Sequence, residues 1–340
     1  MRAVSDPKNV AILGATGAVG AQMLQCLEER DFPVGELRLL ASRRSAGTDM
    51  CWNGRLLRVT EATPESFEGV DIVLGAATNP VAEALLPHAV AAGAVCVDNS
   101  SAFRLDPEVP LVVPEINPED VAGNHGIVAN PNCATIIGLV CVAPRSRVAG
   151  ARRIVCSTYQ AASGAGLPGI EELEAENQAI VEGTSMPEPR AFAYQLAYNL
   201  IPQIGGFDGL GYTSEEMKMQ NEGRKIMHDP ELRVNCTCVR VPIARSHSES
   251  ITVEFERPIT PDEAREALRQ APGVRVVDDP AEQLYPMPLD TSDQDLVYVG
   301  RIREDVSAPE GVSSLTFWCC GDQIRKGAAT NAVQIAELLL

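Results

Sequence analysis

The sequence predicts an α/β protein in which a doubly wound parallel sheet is followed by a mixed α+β domain. In about the first 130 residues, short apolar runs alternate with helical stretches, which is the order of a parallel sheet with crossover helices. Beyond that point, strand-like segments are separated by longer helical or irregular stretches. The 340 residues suffice for two domains of ordinary size.

The opening of the chain has the pattern of a strand, a glycine turn and a helix. Residues 9–13 form a short apolar strand, and residues 21–29 carry helix formers with an apolar stripe. The rest of this part is predicted to contain strands at 36–42, 70–77 and 94–101 and a helix at 80–93.

The second part of the chain is predicted to hold five strands. They are expected at 152–160, 233–243, 249–257, 296–305 and 313–321. The last segment, 324–340, has the apolar spacing of a helix, and we expect it to return and pack on the first domain. The domains are therefore predicted as 1–132 plus 322–340, and 133–321.

Composition and charge exclude several classes of function. The formal net charge of −18 argues against a nucleic-acid partner. The chain has no apolar run near the eighteen or so residues that a membrane span needs, and its first residues lack the apolar core of a signal peptide, so we expect a cytoplasmic protein. Ten cysteines without CxxC pairs or histidine-rich spacing indicate neither a disulfide framework nor a metal site.

A glycine-rich turn follows the first predicted strand. Gly14, Gly17 and Gly20 give the spacing G-x-x-G-x-x-G. Small residues let the backbone approach a pyrophosphate, whose charge then meets the free N–H groups of the next helix. The alternative is a tight turn that only packs a helix on a strand. Because the turn comes directly after the first strand, we favour a Rossmann-like dinucleotide-binding domain.

The end of the second predicted strand indicates which dinucleotide is bound. An NAD-selective site usually has an acidic residue there, whereas this chain has Ser42, Arg43, Arg44 and Ser45. Two guanidinium groups and two hydroxyls suit a 2′-phosphate, so the cofactor is predicted to be NADP. The alternative is a pair of solvated arginines on a loop.

Cys133, in the stretch ANPNCATIIGLV, is the candidate nucleophile. A reactive thiol must be largely thiolate, and the N-terminus of a helix favours that form. The Asn-Pro-Asn turn before Cys133 and the apolar run after it are consistent with such a position. On spacing alone, one more buried thiol remains the alternative.

Several longer blocks carry a resemblance to a known family. They are NPNCAT, TYQAASGAG (158–166), GYTSEEMKMQNEGRKIM (211–227), CVRVPIARSHSES (238–250), VGRIRED (299–305) and RKGAATNAVQIAE (325–337). In this order they resemble the signatures of the aspartate-β-semialdehyde dehydrogenases, over essentially the whole chain. The resemblance implies a Rossmann-like NADP-binding domain with a mixed α+β catalytic and dimerisation domain, and a homodimer.

The resemblance also implies a reaction. It is the reductive dephosphorylation of L-4-aspartyl phosphate to L-aspartate 4-semialdehyde and phosphate, a step in the biosynthesis of diaminopimelate, lysine, methionine, threonine and isoleucine. Cys133 would attack the acyl phosphate and form a thioester, which hydride from NADPH converts to a thiohemiacetal. His247 would be the acid/base group, and Gln160 would orient the substrate near the thiol.

Further residues receive substrate-binding roles from the resemblance. Arg240 would hold the α-carboxylate of the substrate, and Glu215 its amine. Arg104 and Lys218 would bind phosphate. Arg240 and His247 are seven residues apart, which in one straight strand would place them on opposite faces. Pro242 makes an unbroken strand improbable, so the intervening loop is expected to turn one residue toward the other.

The cofactor-binding residues are predicted to come from both parts of the chain: Gly14, Thr16, Gly17, Ala18, Val19, Arg44, Ser45, Ser163, Gly164 and Gln323. Two positions depart from the family pattern. Ala134 stands where many relatives have a hydroxyl residue, and Gln323 stands where relatives commonly have an asparagine that contacts the nicotinamide. Gln323 has one methylene more, which puts that contact in question.

Two other functions remain open from the sequence. An enzyme similar to N-acetylglutamyl-phosphate reductase would share the fold plan, the cysteine chemistry and NADP, but would need room for an acetylated amine, whereas Glu215 favours a free ammonium. A non-catalytic dinucleotide-binding regulator would have no need for Cys133, Gln160, Arg240 and His247 together.

Overall fold

Residues 6–340 are described by a computed structural model, and they fall into two units. One unit runs up to Asn132 and includes Ala328–Leu340, and the other is Cys133–Gly327. The division into an NADP-binding domain and a catalytic domain stays a prediction. Its second border was expected at residue 322, whereas the compact units divide between Gly327 and Ala328.

The chain alternates strands and helices throughout the first unit. Its elements up to residue 132 are β1 (Lys8–Leu13), α1 (Ala18–Glu29), β2 (Val34–Ala41), β3 (Asp49–Trp52), β4 (Arg55–Arg58), β5 (Thr60–Glu61), β6 (Ile72–Gly75), α2 (Asn79–Ala91), β7 (Val95–Asp98) and β8 (Ile127–Ala129).

The remaining elements lie after Asn132. They are α3 (Cys133–Ala149), β9 (Ala151–Gln160), α4 (Leu167–Glu182), α5 (Ser214–Ile226), β10 (Arg233–Arg240), β11 (His247–Phe255), α6 (Pro261–Arg269), β12 (Val274–Val276), α7 (Pro288–Thr291), β13 (Val297–Glu304), β14 (Ser313–Gly321) and α8 (Thr330–Glu337). A π-helical turn, Arg325–Ala329, precedes α8.

The sheet of the first unit has the strand order β5-β2-β1-β6-β7-β8, and all of its strand pairs are parallel. Helices α1 and α8 bury apolar residues in the cluster on one face of the sheet, and α2 does so on the other. The predicted doubly wound sheet is therefore confirmed. The returning C-terminal helix is also confirmed, because Val333 and Ile335 are fully buried in this core.

The sheet of the second unit is mixed, with the order β10-β9-β11-β14-β13-β12. Strands β9 and β10 run parallel, whereas β11 is antiparallel to both β9 and β14. Helix α3 packs on one face against β9, β11 and β14. On these strands, buried residues alternate with half-buried ones such as Tyr159, Thr252 and Trp318, so the two faces differ in how fully this chain covers them.

The predicted strands of the second part are confirmed with small shifts at their ends. The strand expected at 233–243 stops at Arg240, because Pro242 lacks the backbone N–H that a further ladder bond would need. The sequence reading missed the short hairpin of β3 and β4 and did not place α4, α5 and α6 individually. Among residues 6–340, no helix is long and apolar enough to cross a bilayer.

Candidate active site

Cys133 is the first residue of α3, a helix of 17 residues. Its side chain is partly accessible, whereas eight of the other cysteines are buried and only Cys51 is exposed. Burial raises the pKa of Cys96 and of Cys320 to about 12, which keeps those thiols protonated and unreactive. The start of a helix has the opposite effect, since its free N–H groups and dipole favour a thiolate.

Three strand ends bring the other candidate residues to one edge of the second sheet. Gln160 ends β9, Arg240 ends β10, and the two are register partners in the parallel pair. His247 begins β11, which runs antiparallel to β9, so its first residue lies at that same edge. The turn after Arg240 therefore brings His247 back toward it, as the position of Pro242 predicts.

Gly164 lies against both Arg240 and His247. A Cβ at position 164 would be 2.6 Å from Nη1 of Arg240 and 3.1 Å from Cε1 of His247. A side chain at position 164 would therefore displace the guanidinium group of Arg240 or the ring of His247. The two side chains predicted to act together therefore meet at one glycine.

The guanidinium group of Arg240 is buried and makes one hydrogen bond among the described residues. Its Nη1 donates to the carbonyl oxygen of Ala161 at 2.6 Å, and its guanidinium lies 5.7 Å from the ring centre of Phe192. Burial lowers the pKa of Arg240, and negative charge on Cys133 and on Glu215 acts in the opposite direction. A buried cation within electrostatic range of Cys133 stabilises the thiolate.

His247 is fully buried and is held through Nδ1. The backbone N–H of Ala161 donates to Nδ1 at 3.0 Å, so the neutral ring must carry its proton on Nε2. Nε2 lies 3.4 Å from Nε2 of Gln160, which is also a donor. Burial, and then the charge of Arg240, lower the pKa of His247 to about 3. The ring is therefore neutral at neutral pH and presents an N–H at Nε2.

Gln160 lies between the ring of His247 and the first turn of α5. Its Nε2 donates to Oε1 of Glu215 at 3.1 Å, and its Oε1 accepts from the hydroxyl of Thr158 at 2.9 Å. The other carboxylate oxygen of Glu215 accepts from Nζ of Lys218 at 2.9 Å. Thr213 caps this helix through a capping box, which fixes the turn that carries Glu215.

The candidate residues of the first unit lie in two loops, a helix start and a turn. Gly14, with φ of +86°, begins the loop between β1 and α1 that also holds Thr16 and Gly17, and Ala18 and Val19 are the first residues of α1. Arg44 and Ser45 lie in the turn after β2, and Arg44 is exposed. Arg104 is buried and donates to the carbonyl oxygens of Asn130 at 2.9 Å and Asn99 at 2.7 Å.

The structure thus gathers one set of predicted residues within the second unit. Cys133, Gln160, Ser163, Gly164, Glu215, Lys218, Arg240, His247 and Gln323 belong to it. The glycine-loop residues, Arg44, Ser45 and Arg104 belong to the first unit. The sequence reading missed Phe192, for which spacing gives no signal, and Glu249. Among residues 6–340, no group of three acidic, His or Cys side chains lies in an arrangement that could hold a metal ion.

Glu249 is a fully buried carboxyl group two residues beyond His247. Its Oε2 accepts from Sγ of Cys156 at 3.8 Å, and among the described residues its Oε1 has no hydrogen-bond partner. Burial raises the pKa of Glu249 well above its ordinary value, because it penalises the charged form. The alternation of β11 could have revealed it, because positions 247, 249, 251, 253 and 255 share the buried face.

Glu249→Gln is expected to gain stability relative to the wild type as pH rises. A carboxyl group whose pKa is higher in the folded than in the unfolded protein stabilises the fold fully at pH values below its unfolded pKa. Above that value, the free energy of unfolding of the wild type falls by about 1.4 kcal/mol per pH unit until the folded pKa is reached. Thermal unfolding at pH 5 and pH 8 measures this. The difference in Tm, variant minus wild type, should be larger at pH 8, and an equal difference would mean that Glu249 ionises normally.

Comparisons with known proteins place the chain in a family. The model for the semialdehyde dehydrogenase NAD binding domain matches residues 9–124, and that for the semialdehyde dehydrogenase dimerisation domain matches residues 144–326. An aspartate-semialdehyde dehydrogenase from Aquifex aeolicus is 51% identical, with 97% of both chains covered. This chain belongs to the aspartate-semialdehyde dehydrogenases. The family recognised from the sequence blocks is therefore confirmed.

Solved structures of the family agree with this fold. The crystal structure of aspartate semialdehyde dehydrogenase II complexed with ASA from Vibrio cholerae has a TM-score of 0.95 at 45% identity, with 98% of both chains covered. The enzyme from Candida albicans, solved with NADP, has a TM-score of 0.75 at 26% identity over 98% of both chains. The family likeness thus extends over the whole described chain.

Proposed function

We propose that this protein is an NADP-dependent aspartate-semialdehyde dehydrogenase that reduces L-4-aspartyl phosphate to L-aspartate 4-semialdehyde through a thioester on Cys133. One observation carries the proposal beyond family membership. Within the second unit, a helix-start cysteine, a buried arginine and a neutral buried histidine occur together, with Gln160 bonded to Glu215. These are the groups that acyl transfer and substrate binding require.

The first unit fits a dinucleotide. A Cβ at position 14 would lie 2.5 Å from the carbonyl oxygen of Ala76, so the loop needs a glycine there to pass so close to the next strand end. No side chain caps the N-terminus of α1, and its first turn has no acidic residue. Gly14, Thr16, Gly17, Ala18 and Val19 would hold the pyrophosphate, and Arg44 and Ser45 the 2′-phosphate.

Cys133 and His247 would perform the covalent steps. The Cys133 thiolate attacks the carbonyl carbon of the acyl phosphate, the C–O bond to phosphate breaks, and a thioester remains. NADPH, when bound, supplies the hydride that reduces this thioester. The N–H at Nε2 of His247 then donates a hydrogen bond to the negatively charged oxygen of the resulting thiohemiacetal, and the ring keeps its proton. Collapse of that adduct breaks the C–S bond, returns the thiolate and releases the aldehyde.

The substrate would be bound by groups of opposite charge. Arg240 would pair with the α-carboxylate, and its burial strengthens such a charge-assisted bond. Glu215 would receive the ammonium group, while Gln160, bonded to Glu215, would orient the reacting carbonyl. Lys218 and Arg104 would bind phosphate. In a chain of net charge −18, these local cations are needed to attract an anionic substrate.

A homodimer in the cytoplasm is the assembly that we propose, with a role in the biosynthesis of lysine, methionine, threonine and isoleucine. The match to a family dimerisation domain supports the dimer. Exposed apolar side chains in the second unit support it too: Tyr194, Tyr198, Leu200, Phe207 and Leu210. Sedimentation equilibrium at micromolar concentration would measure the state of assembly.

An assay of the purified protein tests the proposed function. With aspartate semialdehyde, phosphate and NADP, we expect NADPH to form, and with N-acetylglutamate semialdehyde we expect little or no reaction. The negative charge of the Glu215 carboxylate, which Gln160 contacts, favours a free ammonium over an acetylated amine. A higher rate with the acetylated substrate would instead support the reductase-like alternative, and no rate with either would support the non-catalytic regulator. The reported relatives favour the first outcome.

Arg44→Ala should raise the KM for NADP and leave the KM for NAD nearly unchanged. Arg44 is exposed in the turn after β2, where a 2′-phosphate would lie, and loss of one charge-assisted contact costs about 1.5–3 kcal/mol, or about tenfold to a hundredfold in affinity. Initial rates with each cofactor measure both constants. Arg55→Ala, an exposed arginine on β4, is the control. An equal rise in both constants would contradict the 2′-phosphate assignment.

A further inference from the structure

The side chain of Gln323 is bonded at both ends within the second unit. Its Oε1 accepts from the backbone N–H of Ser246 at 2.9 Å, and its Nε2 donates to the hydroxyl oxygen of Ser163. All three residues are buried. A backbone N–H can only donate, so the acceptor end of the carboxamide must face Ser246 and the donor end must face Ser163.

These two bonds connect the residue before His247 to a turn that lies next to the His247 ring. Ser246 precedes His247 and has φ of +72°, a conformation that a serine rarely adopts without support. Ser163 lies in the turn Ala162–Ala165, which follows the Ala161 N–H that holds Nδ1 of His247. The same turn contains Gly164, which lies against the imidazole. Gln323 therefore bridges the backbone next to His247 and the turn that fixes its ring.

Residue 323 also lies close to the nucleophile. The Cβ that an alanine at position 327 would carry comes within 2.8 Å of Cβ of Cys133 and 3.4 Å of Cβ of Gln323. The Cβ atoms of Gln323 and Cys133 thus both lie next to Gly327. The length of the Gln323 side chain matters. An asparagine is one carbon shorter and could not reach Ser246 and Ser163 at once from the same backbone position.

We propose that Gln323 is a positioning residue for His247, whose carboxamide clamps the Ser246 backbone to the Ser163 turn and thereby holds the ring with its N–H at Nε2. We infer this role in place of the nicotinamide contact predicted for position 323, because each end of the amide already has one partner within the protein. The inference deepens the proposed function and rests on it for the catalytic part of its test, because it assumes that His247 donates to the substrate oxygen.

Gln323→Asn is the variant that tests the clamp. We expect kcat to fall about tenfold, the scale of one or two lost neutral hydrogen bonds, while the Kd for NADPH measured by fluorescence changes less than about twofold. Gln220→Asn is the matched control. Oε1 of Gln220 accepts from the N–H of Val234 at 3.3 Å, so the same chemical change removes the same kind of bond elsewhere in the unit. That control should retain the wild-type kcat.

A readout that does not depend on activity is the tautomer of His247. The chain has only four histidines, so the ring nitrogens can be followed by NMR in histidine-labelled protein and assigned with His247→Asn. We expect the wild type to show a proton on Nε2 alone, and Gln323→Asn to show exchange between the two tautomers. If Gln323→Asn fails to fold, Ser163→Ala cuts the other end of the bridge and should give the same change in the His247 signals.

The outcomes separate the two proposals. An inactive wild type with the predicted tautomer shift would contradict the proposed function and support the clamp. An active wild type whose Gln323→Asn variant keeps its kcat and its tautomer would overturn the clamp. A weaker Kd for NADPH with unchanged kcat would also overturn it and restore the nicotinamide contact.

Discussion

Cys133→Ala is expected to abolish the reduction of NADP by aspartate semialdehyde and phosphate. Removal of a nucleophile that forms the covalent intermediate costs a factor on the order of 10⁴ or more in kcat. The fold should be preserved, because Cys133 is the first, partly accessible residue of α3 and alanine is a good helix former. Initial rates and circular dichroism measure the two effects.

Cys51→Ala is the matched control for the thiol. Cys51 is the exposed cysteine, so it is the other site where alkylation would be fast, yet it lies in the short hairpin of the first unit. This control should retain the wild-type rate. A Cys133→Ala protein with an intact rate would remove the nucleophile assignment.

His247→Ala is expected to lower kcat by about 10²- to 10³-fold, which is the usual contribution of one hydrogen-bond donor to a developing oxyanion. The KM for aspartate semialdehyde should change far less, because Arg240 and Glu215 bind the charged ends of the substrate. His88→Ala, an exposed histidine on α2, is the control and should be fully active. A loss of affinity with unchanged kcat would mean that His247 only binds substrate.

His247→Ala should also change the way in which the stability of the protein depends on pH. Burial and Arg240 hold the folded pKa of His247 at about 3, below its unfolded value of about 6.5. Between these values the unfolded chain binds a proton on His247 and the folded chain does not. The free energy of unfolding of the wild type therefore falls by about 1.4 kcal/mol per pH unit as pH falls below about 6.5. His247→Ala lacks this penalty. Its Tm deficit against the wild type should therefore shrink between pH 7 and pH 5.

Periodicity predicted the fold because each element has its own local signal. Apolar runs of four to eight residues marked β1, β6, β7 and the five long strands of the second unit, and the apolar spacing of 324–340 marked the returning α8. The start of α3 at Cys133 followed from the Asn-Pro-Asn turn. The hairpin of β3 and β4 was missed because each strand has only four residues, which is too short for its periodicity to be distinguished from that of a loop.

The site was only partly predictable from sequence, because its contacts join distant residues. The bond of Gln160 to Glu215 spans 55 residues, and that of Ser246 to Gln323 spans 77. Sequence alone gives no register for such pairs. Resemblance supplied the residue types, and its assignment of Gln323 to the cofactor stays a prediction, but it gave no signal for the bonds of that amide to Ser246 and Ser163. A local departure from the family pattern therefore had to be read from the structure.

Detection of the covalent intermediate tests most directly whether Cys133 forms a thioester with the substrate. The protein is mixed with L-4-aspartyl phosphate without NADPH, quenched in acid and digested, and the peptides are examined by mass spectrometry. We expect one aspartyl group in thioester linkage on Cys133, with stoichiometric release of phosphate, and none in Cys133→Ala. Phosphate release without an adduct, or an adduct on another residue of an active preparation, would contradict it.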